Sequence, residues 1–328
     1  MPDELDLLRN ADPVPAHGPH LGDGPLDHHA ERRLALLLRA DPPRPAAPRL
    51  PRSRLLWGLA ATGVVLATAL TALLGGPSPQ PAVAAPRPLV VRGDSTPVPL
   101  ALLADRAEAA AEGSSGLRKG THVQSWSMGM SDDAPPVTLP QEAIVRWRPD
   151  GSHTELVVAT DPRRPGRPVL SDEGDHPRLV ADGHVISRQT YPPSWSDAPP
   201  EAPPPHDVAR LRAYLREAAY VHTEPTAGEL LDAVDILLDN WTLGGRETAA
   251  LARLLAGTPG LRPVGRVTDR LGRTGQAYVH YDPRGVRRML IMDPSTGAVL
   301  GLEMTATKAE PEYGLKVGDV MQYAAWMR

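Results

Sequence analysis

The stretch Val286–Ala306, VRRMLIMDPSTGAVLGLEMTA, reads as two strands joined by a tight turn. Pro294 behind Asp293 pre-sets the φ of a turn, and Gly297 supplies the positive φ that lets the chain leave it. Downstream, Leu300, Leu302 and Met304 alternate with Gly301, Glu303 and Thr305. That period of two belongs to a strand with one covered face. Just upstream, YDPRGV (Tyr281–Val286) repeats the same turn chemistry. Gly260–Thr268, Gln276–Tyr281, Val286–Met292 and Val299–Ala306 therefore form an antiparallel meander.

Working outward from the meander, three helices precede it. Asp207–Val221 buries Val208, Leu211 and Leu215. Thr226–Trp241 opens on a Thr-x-x-Glu capping box, Thr226 with Glu229, and stacks Leu230, Val234, Leu237, Leu238 and Trp241 on one face. Arg246–Ala256 ends at Gly257, with Pro259 beyond. Earlier still lie a helix, Leu100–Glu112, and strand patterns at Thr121–Met130, Gln141–Arg148, His153–Thr160 and near Leu179–Gln189. Trp126, Met128 and Met130 share a face of the first. Ala143, Val145 and Trp147 oppose Arg146 and Arg148 on the second. Asp150-Gly151 is a hairpin signal between the second and third. The fold class is α+β: an antiparallel sheet interrupted by a helical insertion.

Residues 75–99, GGPSPQPAVAAPRPLVVRGDSTPVP, read as an extended, semi-rigid Pro-rich linker ahead of a domain at 100–328. Before the linker, Leu55–Leu74 holds twenty residues without a charge. As a helix it spans roughly 30 Å, the thickness of a bilayer's hydrocarbon core. Its leucines and valines favour insertion by about 3–5 kcal/mol, and it lacks the polar face of a soluble helix. Ala82-Val83-Ala84 resembles a signal-peptide cleavage site. The run is longer than a signal's apolar region and lies far from the start of the chain, so an uncleaved anchor is the reading adopted. Arg44, Arg49, Arg52 and Arg54 crowd its N-terminal flank and put that side in the cytoplasm. The expectation is a single-pass protein of the cell membrane with residues 1–54 inside and the C-terminal domain outside. Gly63, Ala67, Thr71 and Gly75 form a small-residue stripe of the kind along which membrane helices pack, although small residues are common throughout the run. In the tail, a helix at Asp27–Arg39 would align Ala30, Leu34, Leu37 and Leu38 as a face for a partner.

Composition excludes several classes of chemistry. With no Cys, there is no disulfide, no thiolate nucleophile and no cysteine metal site. A net charge of −4 and an isoelectric point near 6.3 argue against nucleic-acid binding. SDEGDH, Ser171–His176, gathers carboxylates and an imidazole without calcium-loop spacing and reads as a solvated turn. His28-His29 are adjacent on a helix and do not share a metal as an i, i+4 pair does. His122, His153, His184 and His280 fall on separate strands, with nothing in the sequence to bring them together. Gly113–Gly116 is a loop with no preceding strand, unlike a nucleophile elbow. No phosphate loop, dinucleotide fingerprint or His-Glu-x-x-His helix occurs. No catalytic, cofactor or metal residue is assigned, and the expectation is a non-enzymatic protein.

The opening Asp3-Glu4-Leu5, Asp12-Pro13-Val14, the membrane run and the closing Asp293–Gly301 hairpin together resemble an uncharacterised family of actinobacterial single-pass membrane proteins. RWRPDGS (Arg146–Ser152), the Arg246–Gly260 helix and GRTGQAYVHYD (Gly272–Asp282) are similar to its other recurrent blocks. The resemblance implies a setting near extracytoplasmic-function sigma factors and an outer domain like the half-open barrel of lipoprotein carriers. The functional expectation is a sensor or regulator of envelope signalling that acts on a sigma factor through its tail. The alternative is a tethered binding module for a lipid or other apolar ligand, with an inert tail.

Overall fold

The computed structural model describes residues 86–327, apart from 132–133, 174–176 and 194–195. They belong to one compact unit, Pro77–Arg328. The tail with its Ala30–Leu38 face, the arginine flank, the Leu55–Leu74 run, the Gly63–Gly75 stripe and the first part of the linker lie outside the described residues. Among the described residues no helix is long and apolar enough to cross a membrane.

The chain forms an α+β domain built on one large antiparallel sheet that does not close into a barrel. Its strands are β1 (Arg118–Ser131), β2 (Ala134–Trp147), β3 (His153–Ala159), β6 (His184–Tyr191), β8 (Arg262–Thr268), β9 (Thr274–Asp282), β10 (Val286–Met292), β11 (Val299–Ala306) and β12 (Val320–Trp326). The spatial order is β6-β3-β2-β1-β12-β11-β10-β9-β8. Two hairpin meanders are thus joined through β12, which returns to lie between β11 and β1. A short β7 (Trp241–Thr242) pairs with the start of β1, and β4 (Val169–Ser171) with β5 (Arg178–Val180) makes a separate ribbon.

Local chemistry explains the turns. Asp293 Oδ1 accepts from the amides of Ser295 (2.8 Å) and Thr296 (2.9 Å), which coils the chain into the β10–β11 turn. Gly297 leaves that turn at φ 70°, and a Cβ there would sit 2.6 Å from the Ala107 methyl. Glycine is required twice over, by conformation and by packing.

Helices α1 (Leu100–Ala110), α2 (Val208–Ala218), α3 (Ala227–Asn240) and α4 (Gly245–Ala256) share a core with one face of the sheet. The Thr226–Glu229 capping box is present, with both reciprocal bonds made. Leu230, Val234, Leu237 and Leu238 on α3 and Leu251, Leu254 and Leu255 on α4 pack with Tyr278, Leu290, Met292, Leu302, Ala324 and Trp326 of the strands. Gly257 closes α4 at φ −85°, so this cap does not use a glycine's left-handed freedom.

The opposite face carries a second core of Trp126, Val267, Ala277, Val279, Met289, Ile291, Leu300, Val320, Tyr323 and Ala325. Leu89 and Val91 pack on it. The amide of Arg92 bonds to the Arg266 carbonyl at 2.9 Å, and the amide of Leu89 donates to the carboxylate of Glu303 at 3.0 Å. The end of the Pro-rich stretch, read above as linker, is therefore a strap fastened to the sheet. Glu303 is fully buried, held by Arg270 (2.5 Å) and Arg287 (3.2 Å). Burial pulls the Arg270 guanidinium below its usual value, and the charge of Glu303 opposes that shift.

Several strand readings change. Leu300 does not share a face with Leu302: it packs in the second core, Leu302 in the first. The register shifts between Ile291 and Met292, where Gly301 and Val299 are the partners, leaving Leu300 as the extra residue of a bulge. One inserted residue reverses the parity of everything before it. The strand near Leu179–Gln189 is two, β5 and β6, broken by the positive-φ Gly183. β12 follows a turn at Lys316–Asp319, with Gly318 at positive φ, but has only a weak alternation of its own. Its place in the sheet comes from pairing with β11 and β1.

Candidate ligand-binding face

Burial divides the sheet. β10 and β11 are buried over most of their lengths, whereas β3 is buried only at Ala159 and β6 nowhere. The helical layer packs over the β8–β12 side and reaches β1. Beyond β1 the sheet continues as β2, β3 and β6 with a half-buried surface.

Register places the side chains on the helix-side face of this open half. Val123 pairs with Ala143, Ala143 with Val157 and Val157 with Ser187. One step along the strands, Thr121 pairs with Val145, Val145 with Glu155 and Glu155 with Gln189. Val123 and Ala143 join the helix-side core. The result is an apolar strip, Ala143, Val145 and Val157, edged with polar groups.

One end of the strip is closed by a ladder of rings. Trp147 stacks on His153 with centroids 4.1 Å apart, and His153 on Tyr191 at 4.7 Å. Lys119 Nζ sits 3.6 Å above the Trp147 ring and 3.4 Å from Glu201. A cation so placed gains from the ring quadrupole as well as from the carboxylate. Trp241 Nε1 and Tyr214 Oη both donate to the Pro200 carbonyl, at 2.9 and 2.8 Å, and fix the loop that carries Glu201.

On the covered half, the polar edge of α3 lies over β12 and β10, where Asp232, Asp235 and Asp239 recur at helical spacing. Asp232 forms a two-pronged pair with Arg288 of β10, at 3.0 and 2.9 Å. Asp235 accepts from Gln322 Nε2 at 3.3 Å and Asp239 from Trp326 Nε1 at 3.2 Å, both on β12. Burial, reinforced by the charges of Asp239 and Asp232, pushes Asp235 up to about 7 against the bond from Gln322. Burial lifts Asp239 to about 6, opposed by the Trp326 bond. Asp239 keeps an exposed surface, so the larger effect rests on Asp235, whose Oδ1 is buried without a partner. Near neutral pH the Asp235 carboxyl can hold or release a proton, and in its neutral form it donates a hydrogen bond.

The sequence-singled histidines do not converge. His122 pairs with Glu142 (2.5 Å), His184 with Glu173 (2.5 Å), and His280 Nδ1 lies 3.3 Å from the Gly260 carbonyl. His153, on β3, stands in the ring ladder, and His184 opens β6 outside it. Within SDEGDH, Glu173 is engaged by His184, and 174–176 lie outside the described residues. Gly113–Gly116 forms the exit of α1 through a single 3-10 turn, Ala111–Gly113. Among the described residues no group of three His, Asp or Glu is arranged to hold a metal. Sequence reasoning missed the acid edge of α3, although its three-then-four spacing beside the apolar stripe was visible. It also missed Lys119, because nothing local connects it to Trp147.

No family model and no curated protein matches the chain. Among solved structures, the chain is similar to a dehydratase domain from the CurK module of curacin polyketide synthase, at 9% identity over 68% of this chain and 78% of that one. The TM-score is 0.13, which carries no argument about fold or activity.

Proposed function

We propose that this protein is a membrane-tethered, extracytoplasmic binding module for a lipid or other apolar ligand. The Leu55–Leu74 run is its single anchor, with the N-terminus inside. Its sheet works as the half-open barrel of a lipoprotein carrier does, by analogy of architecture. The observation that carries this reading is the drop in burial from β9–β11 to β3 and β6. It leaves Ala143, Val145 and Val157 half-exposed on the helix-side face, with the Trp147–His153–Tyr191 rings and the Lys119–Glu201 pair at one end. Apolar walls with a few convergent polar groups are the usual make-up of a small-molecule site.

The test is mass spectrometry of ligands that co-purify with the full chain after detergent extraction. Val157→Asp, on the strip, should abolish the co-purified species, and Thr154→Asp, on the opposite face, should retain it. Absence of any ligand, or equal recovery from the two variants, refutes the reading.

A second reading makes the module a sensor of envelope signalling that acts on a sigma factor through residues 1–54. The strap at Leu89–Arg92 favours it, because the chain that follows the anchor is bonded directly to the sheet. Immobilised residues 1–54 should then retain a sigma factor, and failure to do so removes the signalling half of the proposal.

A further inference from the structure

On the far side of α2 from the core lies a cavity of about 440 Å³. The Pro-rich loop at Ala198 and Pro199 forms one wall, and Ala213, Arg216 and Glu217 of α2 with Tyr220, Val221 and His222 beyond it form the other. This volume lies within the range of small-molecule sites.

The end of α2 is unusual in a way that points at this cavity. The amide of Val221 bonds to the Arg216 carbonyl (2.9 Å) and that of Tyr220 to the Glu217 carbonyl (3.0 Å). This is the Schellman closure of a helix, which places the residue after the cap in the left-handed region and favours glycine there. Here that residue is Tyr220, at φ 54°, the sole non-glycine at positive φ among the described residues. Its side chain is 82% exposed. A bulky side chain is strained in this conformation, and an exposed ring recovers nothing from the core. Folding therefore does not explain the tyrosine. A contact made by its ring does, since such strain collects at binding sites.

Arg216 supplies the polar half. Its Nη2 donates to the His222 carbonyl at 3.2 Å, and its Nε is buried with no partner. The bond to His222 holds the guanidinium in place, and because Nε is closed to a ligand the two Nη groups form the fork that matches a carboxylate. Glu217 on the same wall is a negative charge that disfavours a dianion such as sulfate or phosphate.

We infer that this cavity binds an apolar monocarboxylate, its carboxylate on Arg216, its apolar body against Pro199 and Val221, and its outer side covered by Tyr220. The same chemistry is offered by a free aryl or alkyl acid and by the C-terminus of a peptide ending in an apolar residue. The site lies on the helical layer, outside the apolar strip, and shares with the open half only the loop that carries Pro199 and Glu201.

Calorimetric titration of the full chain in lipid nanodiscs tests the inference with N-acetyl-phenylalanine, its amide, 3-phenylpropionate and sulfate. Expected is saturable binding of N-acetyl-phenylalanine with a Kd of ~1 mM or below. Its amide and sulfate should bind roughly tenfold more weakly or worse, because the charged hydrogen bond to Arg216 is lost or opposed. Equal affinity for the two acids identifies free acids as the natural ligand class, and a clear preference for the acylated amino acid identifies a peptide terminus. Tyr220→Gly separates binding from folding. It should raise the urea midpoint by relieving the strain while weakening binding, and Arg216→Met should weaken binding at an unchanged midpoint. Acid and amide binding alike, no saturation, or a Tyr220→Gly variant that binds as the parent does would overturn the proposal.

Discussion

Replacing Glu303 by Gln tests the electrostatic logic of the second core. The substitution preserves shape and removes one charge from the sheet's interior. Glu303 is completely buried, and its partners Arg270 and Arg287 retain only 5% and 20% exposure. The glutamine amide would also present donors to guanidinium groups that need acceptors, and would leave Leu89 with at best one. Breaking a buried pair from one side costs about 3–5 kcal/mol, mostly from the charge left behind. Against a domain stability of about 5–15 kcal/mol, that is a large fraction. Urea unfolding of the parent and variant at pH 7 should show the midpoint falling with little change in slope. Hydrogen exchange at the Leu89 amide should accelerate more than exchange in α3, because the strap loses its acceptor directly. A triple variant, Glu303→Leu with Arg270→Met and Arg287→Met, should recover much of the loss, since apolar replacement of a whole buried cluster is often close to neutral. A Glu303→Gln midpoint within about 0.5 kcal/mol of the parent would refute the reasoning, showing the cluster to be hydrated in solution.

Other outcomes follow from the same geometry. Asp235 titrates near 7 when folded and near its ordinary value, about 4, when unfolded, so the folded state holds the extra proton between them. Its stabilisation is complete below about 4 and is lost as pH rises through about 7. Asp235→Asn should therefore match the parent at pH 4 and exceed it by up to about 4 kcal/mol at pH 8, read by urea midpoints across pH. Thr226→Ala removes one half of the capping box and should cost about 1 kcal/mol in the same measurement. Gly275→Ala would put a Cβ 2.5 Å from Ile291 Cγ2 and 2.9 Å from the Met292 carbonyl, costing about 1–3 kcal/mol by overpacking. Gly113→Ala, with nothing within 4 Å, should stay within about 0.5 kcal/mol of the parent.

The elements legible in the sequence are those whose cause is local. Asp293, Pro294 and Gly297 announce a turn because its hydrogen bonds close within a few residues. Thr226 and Glu229 announce a helix start for the same reason, and the stripe Leu230–Val234–Leu237 follows from the helical period alone. The candidate sites were less legible. Asp235 looks like any surface acid until β12 comes beneath it, and Tyr220 looks ordinary until the helix closes with it in a glycine's place. Val157 is one more strand valine until the layer above it is seen to stop at β1.

The sequence by itself determined an antiparallel meander, a capped helical insertion and a charge-free run of membrane length. Only the tertiary structure decided that β12 sits between β11 and β1, that Leu300 faces away from Leu302, and that the strap is bonded to the sheet. Turn and helix signals are carried by bonds spanning up to about four residues. The bond from Leu89 to Glu303 spans 214. No local pattern records a partner at that distance, so the pairing becomes definite only when the whole sheet is assembled.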